Sequence, residues 1–176
     1  NLVGFSGPYP AQAAPLTATV DIGTSANVET GFDSITVLRW GRWSGGIATA
    51  SVPGNTGDDS VDLSSQSLHW ISGPDQAAPA MPITGVANYT LLGGTSPTDN
   101  LGNTGVLGLP PHLFFGNYGT VSIDGVAAGT GQFTGFFSEP GTTSDPAIPG
   151  GVGLTYSLQD GQGAITVSGA AAFGNP

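Results

Sequence analysis

The sequence contains no cysteine and no lysine, and its only cationic side chains are those of Arg39 and Arg42. Without cysteine the chain forms no disulfides and carries no thiolate chemistry. With only 8% charged residues it also lacks the material of helix surfaces, so helices are not expected. A formal net charge of −10 excludes ordinary nucleic-acid binding, which needs a basic surface, and disfavours docking on anionic membranes.

Short runs of Val, Ile, Thr, Tyr and Phe are separated by 30 glycines and 14 prolines. This pattern predicts an all-β fold, either a small antiparallel β-barrel of about eight strands or a barrel-like sandwich. A hydrophobic content of 38% with regular alternation argues against disorder. We expect a flexible lead-in over residues 1–15 and a single β-barrel domain over residues 16–176.

The predicted strands are short and are joined by turns rich in Gly, Pro, Asn and Asp. They cover residues 16–23, 33–49, 66–72, 83–92, 111–115, 119–126, 130–137, 152–159 and 162–173. The longer loops are expected to present a contact surface, and they are 53–60, 73–82, 93–105 and 138–150. No stretch reaches the roughly 20 apolar residues of a membrane helix, so membrane insertion is not expected. The chain begins at Asn1, which we interpret as a processed product or part of a longer protein.

Residues 33–49 hold both arginines and alternate with the two-residue period of a strand. Arg39 and Arg42 lie three positions apart, so an unbroken strand directs them to opposite sides of its sheet. The inward guanidinium must then be paired, and this acidic chain offers many carboxylates as partners. Gly45 and Gly46 are expected to turn the chain back on itself, which makes this stretch a hairpin.

The same stretch supplies most of the candidate binding residues. The interpretation that we prefer is that these side chains fix the strand register and that the tryptophans form the core. The alternative is a binding platform of guanidinium and flat indole rings, which if exposed would suit a carbohydrate or another small ligand. The candidates are Arg39, Trp40, Arg42, Trp43 and Trp70.

Two groups of acidic residues offer the hard oxygen ligands that calcium prefers. Neither group matches the spacing of a calcium-binding loop. The alternative is that their carboxylates hydrogen-bond to the backbone of their own turns, which needs no ion. The weak calcium candidates are Asp58, Asp59, Asp62 and Asp99, and no cofactor is expected.

His69 and His112 are the only histidines, too few for structural zinc in a chain without cysteine. His69 lies within an apolar strand, so a half-buried and hydrogen-bonded ring is expected. Haem ligation by His112 together with Tyr89 or Tyr118 is an alternative.

No enzyme is predicted. The sequence contains no Gly-x-Ser-x-Gly nucleophile elbow. Its only glutamates, Glu29 and Glu139, lie in loop-like surroundings, and their spacing does not indicate a glycosidase pair.

Three segments resemble those of a known family. They are residues 39–43 (Arg-Trp-Gly-Arg-Trp), residues 85–99 (Gly-Val-Ala-Asn-Tyr-Thr-Leu-Leu-Gly-Gly-Thr-Ser-Pro-Thr-Asp) and residues 167–174 (Val-Ser-Gly-Ala-Ala-Ala-Phe-Gly). Over residues 30–174 the chain is similar to a domain found in FecR-type bacterial proteins. That domain looks like the C-terminal barrel of transferrin-binding-protein-B-like surface lipoproteins.

The resemblance implies a small antiparallel barrel exported to the bacterial cell surface, either outer-membrane associated or extracellular. It implies a non-catalytic module for protein binding or scaffolding, with a link to iron acquisition, and it transfers no catalytic residue. The lipid-anchoring cysteine of such lipoproteins does not occur in this sequence. The expected partner is therefore a protein or a small ligand and not nucleic acid. The alternative function is a carbohydrate- or small-ligand-binding module that uses exposed aromatic side chains.

Overall fold

The computed structural model describes residues 2–8, 17–51, 59–74, 88–104, 121–123, 126–138, 149–160 and 164–175. These residues form short strands and no helix, and hence no helix of a length and apolarity that would cross a membrane. The strands are β1 (Gly4–Pro8), β2 (Thr17–Asp21), β3 (Ala26–Phe32), β4 (Arg39–Ser44), β5 (Ile47–Ser51), β6 (Asp59–Asp62), β7 (Ser67–Ser72), β8 (Thr90–Gly94), β9 (Thr98–Asp99), β10 (Val121–Ile123), β11 (Val126–Phe137), β12 (Gly151–Asp160) and β13 (Thr166–Gly174).

The strands pair in three antiparallel sheets. Their orders are β1-β2-β5-β6, β3-β4-β7 and β10-β11-β12-β13-β8, with β9 also paired to β13. Strands β4 and β7 pack against β12 and β13 of the third sheet, which is a sandwich-like arrangement. The all-β antiparallel prediction is confirmed. In the part of the chain that the structure describes, no sheet closes into a barrel, and the strands are more numerous than the eight or so expected.

The first two sheets are continuous across a bend. Thr24 N donates to Ile47 O at 3.0 Å, which continues the β2–β5 ladder toward the β3–β4 ladder. Gly45 N donates to Leu63 O and Leu63 N donates to Gly46 O, both at 2.8 Å. These two bonds join the β5–β6 ladder to the β4–β7 ladder. We call this line of bonds the crease. Each strand that crosses it is split in two, and this splitting raises the strand count.

Gly45 and Gly46 lie at the crease and adopt φ angles of 68° and 69°. This left-handed region favours glycine, and at Gly46 a Cβ would press on the backbone of Thr24. The two glycines lead the chain from β4 in one sheet to β5 in another, and β4 and β5 do not pair with each other. The predicted hairpin is therefore wrong, because left-handed glycines serve a bend as readily as a reversal.

The stretch before β4 is a turn and not a strand. Asp33 Oδ2 accepts hydrogen bonds from Ile35 N at 3.1 Å and from Thr36 N at 2.7 Å. Val37 then adopts a φ angle of 57°, which no strand residue has. The predicted strand over 33–49 therefore begins only at Arg39, because the Asp33 carboxylate stabilises a local turn in competition with the ladder.

Other predicted elements agree with the structure to different degrees. The strands predicted over 66–72, 130–137, 152–159 and 162–173 correspond to β7, β11, β12 and β13. Part of the expected lead-in instead forms β1, which pairs with β2, and part of the loop predicted over 93–105 holds β9. The predicted strand 111–115 lies outside the described residues.

Aromatic rings lie over glycines on neighbouring strands. A Cβ on each of these glycines would overlap the paired ring, so the missing side chain makes the room that the ring fills. Such pairs protect the backbone of a glycine-rich sheet and bury ring surface at the same time. The cross-strand pairs are Gly31–Trp40, Gly41–Trp70, Gly153–Phe136 and Gly169–Tyr156.

Apolar side chains cluster on both sides of the β3-β4-β7 sheet. One cluster is built on Trp43, Ala48, Leu63 and Trp70, and the other on Leu38, Trp40 and Ala172. The second cluster lies between this sheet and the sheet that contains β13. The β3-β4-β7 sheet is thus the layer on which the candidate site is built.

Candidate functional site

The β3-β4-β7 sheet carries the two arginines on opposite faces. Arg39 is the cross-strand neighbour of Phe32 on one side and of Ser72 on the other, and Arg42 is the neighbour of Glu29 and His69. Because side chains alternate along a strand, these two sets point away from each other. We call the two sides the Arg39 face and the Arg42 face. The opposite orientation predicted from the sequence is confirmed.

All three tryptophans among the candidate residues are buried. Trp40 is 8%, Trp43 0% and Trp70 6% exposed. The preferred prediction that they belong to the core is confirmed, and the alternative of an exposed platform for a carbohydrate is wrong. Glycines opposite Trp40 and Trp70 let these two rings lie against the sheet.

The Arg42 face holds an ion pair between neighbouring strands. Arg42 Nε donates to Glu29 Oε2 at 3.1 Å, and the two side chains are 15% and 27% exposed. Arg42 Nη1 also donates to Ser67 Oγ at 3.2 Å. The inward arginine predicted from the sequence therefore has the carboxylate partner that its burial requires.

Glu29 also joins β3 to the segment between β8 and β9. Ser96 N donates to both carboxylate oxygens, at 2.9 Å and 3.0 Å, and Ser96 Oγ donates to Oε1 at 3.1 Å. A carboxylate with three donors around it is held in one orientation. Its oxygens are directed at the protein, so Glu29 is a connecting residue and not a general base directed at solvent.

His69 lies beside this ion pair and bonds through both ring nitrogens. Nδ1 lies 2.7 Å from Thr95 Oγ1, and Nε2 lies 2.8 Å from Thr98 Oγ1. Thr95 Oγ1 also accepts the Ala170 N–H at 2.9 Å. In a neutral imidazole one ring nitrogen donates and the other accepts, so both can be satisfied by the two threonine hydroxyls. The half-buried, hydrogen-bonded ring predicted from the sequence is confirmed.

Burial lowers the pKa of His69 to about 4, with a further lowering by the Arg42 charge that outweighs the opposing effect of Glu29. The unfolded chain takes up this proton near pH 6.5, whereas the folded chain resists it until about pH 4. The contribution of His69 to stability is therefore complete above pH 6.5 and is lost as the pH falls toward 4. We expect the free energy of unfolding, measured with urea, to fall by about 2 kcal/mol between pH 7 and pH 5.

The control for this pH effect is His69→Gln, which keeps a polar side chain that does not titrate. This variant should be less stable at pH 7 and should lose most of the change between pH 7 and pH 5. An equally steep decline in the variant would show that another group is responsible.

The Arg39 face holds a pocket of about 480 Å³ that opens at the protein surface. Arg39 Cζ lies 4.1 Å from the centre of the Phe32 ring, in a cation–π contact. No carboxylate among the described residues pairs with this guanidinium. The residues that line the pocket include Leu2, Thr30, Phe32, Arg39, Trp70 and Ser72.

Trp70 lines this pocket, and its ring carries an unpaired donor. Its indole Nε1 is buried and has no hydrogen-bond partner, whereas Trp43 Nε1 donates to Leu2 O at 3.2 Å. A buried N–H without an acceptor costs about 1–3 kcal/mol, so an unpaired one calls for an explanation. The nitrogen is closed to solvent, so the structure does not present it to a molecule in the open pocket.

The candidate calcium ligands do not come together among the described residues. Asp62 Oδ1 accepts Ser64 N at 2.8 Å, and that bond holds the pKa of Asp62 below its usual value. Asp99 Oδ1 accepts Leu101 N and Asn103 N at 2.9 Å and 2.8 Å. These bonds fit the turn alternative. The described ranges contain no group of three or more His, Cys, Asp or Glu side chains that could hold a metal. Asp59 is exposed on β6.

Several other candidates lie elsewhere. Tyr89 donates its hydroxyl to Pro149 O at 3.1 Å, and burial raises the pKa of Tyr89. Asp58, His112, Tyr118 and Glu139 lie outside the described residues.

Sequence reasoning did not identify the partners of the candidate residues. Phe32 and Ser72 become neighbours of Arg39 only through strand register, and the hydroxyls beside His69 come from a segment that lies 26 and 29 residues away. No local signal in the sequence marks either set.

We compared the whole chain with protein-family models, with curated proteins and with solved structures, and none of the three comparisons gave a match. The geometry of the site itself therefore carries the functional argument.

Proposed function

We propose that this chain is a non-catalytic binding module that takes a small ligand in the Arg39 pocket. The observation that carries the proposal is a guanidinium that has no carboxylate partner among the described residues and that lies at a pocket lined by Phe32 and Trp70. Ligand sites are mostly apolar pockets with a few convergent polar groups, and a volume of about 480 Å³ is within their usual range. The polar groups of the Arg42 face, by contrast, are engaged with one another.

The setting that we propose for this module is the bacterial cell surface. The support is the resemblance of residues 39–43, 85–99 and 167–174 to the FecR-type domain and to transferrin-binding-protein-B-like lipoproteins. In this proposal the chain is exported, its sheets close into a small barrel, and its ligand belongs to iron acquisition. The acidic, lysine-free composition suits a soluble exterior.

A second candidate function is protein binding or scaffolding, which one observation favours. Apolar side chains next to the pocket are exposed on β3 and on the turn that follows it. Phe32 is 49%, Ile35 71% and Val37 43% exposed. Exposed apolar groups that lie together are typical of contact surfaces.

Filling the pocket tests the small-ligand function. Thr30→Phe, at an exposed position that lines the pocket, places a ring in the cavity. In a screen of small-molecule fragments by ¹H–¹⁵N NMR, we expect hits on the wild type to shift the Trp70 indole N–H signal. The variant should lose these shifts while keeping its fold.

The matched control is Thr49→Phe, which introduces the same ring at an exposed position of β5 outside the pocket. It should bind fragments like the wild type. Fragment shifts that survive in Thr30→Phe, or that appear only elsewhere on the chain, would contradict the proposed site.

A further inference from the structure

We infer that the Arg39 pocket takes a small organic anion, a carboxylate attached to a flat apolar body. This inference rests on the proposed function and names the chemical class of its ligand.

The charges on the two faces give the first reason. The chain has only two cations, and Glu29 neutralises the one on the Arg42 face. Arg39 remains as the guanidinium that has no carboxylate partner among the described residues. A guanidinium presents its N–H donors as a planar fork that matches the two oxygens of a carboxylate. A ligand carboxylate is the partner that this side chain lacks.

The surroundings of Arg39 give the second reason. Arg39 Cζ lies 4.1 Å from the centre of the Phe32 ring, and no hydrogen bond among the described residues uses the N–H groups of this guanidinium. Ser72 is the cross-strand neighbour of Arg39 and also lines the pocket, so a hydroxyl donor lies close to the fork. Trp70, which is only 6% exposed, lines the same pocket as these two kinds of donor. Donors of this kind favour an anionic acceptor.

The lining of the pocket indicates the rest of the ligand. Leu2, Phe32 and Trp70 supply apolar and aromatic surface around the polar groups. A flat ring attached to the carboxylate would contact these side chains while its oxygens meet Arg39. Arg39 is the one cation that lines this pocket, and the chain as a whole has a net charge of −10. A ligand with one negative charge therefore suits the pocket better than a phosphate with two.

Benzoate and its neutral analogue benzamide test this inference. We expect benzoate to shift the NMR signals of the Trp70 indole N–H and the Arg39 Nε–H, and benzamide to bind at least about tenfold more weakly. Arg39→Gln should weaken benzoate about tenfold and leave benzamide unchanged, since a charge-assisted pair contributes about 1.5–3 kcal/mol. Trp70→Phe should weaken benzoate, whereas Trp40→Phe on the opposite face should not.

The possible failures are distinguishable. Equal binding of benzoate and benzamide at the Trp70 signal, unchanged in Arg39→Gln, would overturn the anion inference and leave the pocket as a ligand site. Stronger binding of inorganic phosphate than of benzoate would overturn the choice of a carboxylate. No shift at either signal with any of the three probes would overturn the inference together with the proposed site.

Discussion

Glu29→Gln should lower the free energy of unfolding by about 3 kcal/mol, measured with urea at pH 7. Glutamine keeps the size of the side chain but removes the charge that neutralises Arg42, which is only 15% exposed. It also replaces one acceptor oxygen with a donor, so the amide must turn away from either Arg42 Nε or the donors of Ser96. The expected loss is at the lower end for a broken buried pair, because Glu29 itself is 27% exposed.

A double-mutant cycle separates the pair from the other contacts of Glu29. Arg42→Met should also destabilise the protein, but Glu29→Gln with Arg42→Met should lose clearly less than the sum of the single changes, with a coupling of about 1–2 kcal/mol. Asp21→Asn, at an exposed carboxylate of β2, is the control and should change stability by less than about 0.5 kcal/mol. Strict additivity in the cycle would show that the two side chains do not act as a pair.

Gly41→Val is the second change that should be strongly destabilising. We expect it to lower the free energy of unfolding by about 3 kcal/mol or more. The indole of Trp70 lies over Gly41, so the new side chain and the ring would occupy the same space. The backbone carbonyl of Glu29 closes the other side, which leaves little room to adjust. Displacement of Trp70 should also move its fluorescence to longer wavelength, since the ring would become hydrated.

Two further variants test whether the loss of stability in Gly41→Val comes from overlap with the Trp70 ring. Gly45→Ala has open space for its methyl group but a φ angle of 68°, so it should cost only about 1 kcal/mol. Trp70→Leu in the Gly41→Val background should recover part of the loss, because the smaller side chain makes room for valine. A double variant as unstable as the sum of its parts would contradict the idea that ring and glycine share one space.

The sequence predicts those features of the structure that depend on local patterns, such as the alternation of side chains along a strand. The three-residue spacing of Arg39 and Arg42 is enough to place them on opposite faces, since alternation is a property of any strand. The same logic requires a carboxylate for the inward arginine. It does not identify Glu29, because that choice depends on the register of β3 with β4, which shifts between Asn27 and Glu29.

Long-range pairing determines the rest and leaves no local trace. Gly45 and Gly46 are compatible with a hairpin or with a bend, and only the partners of β4 and β5 in different sheets decide between them. The pocket likewise brings Leu2 next to Ser72, two residues that are 70 positions apart in the numbering. A flat indole next to Arg39 is compatible in sequence with the core or with an exposed platform, and the glycine opposite it allows the ring to be buried.

The crease joins the β1-β2-β5-β6 sheet and the β3-β4-β7 sheet into one unit. Leu63 bonds to Gly45 and Gly46 at the point where the two sheets meet, so neither sheet can rotate relative to the other without breaking hydrogen bonds that connect them. The left-handed glycines at the crease bend the backbone there without creating a hinge. We therefore expect the Arg39 pocket, whose lining reaches from Leu2 beside β1 to Ser72 in β7, to be formed before any ligand binds.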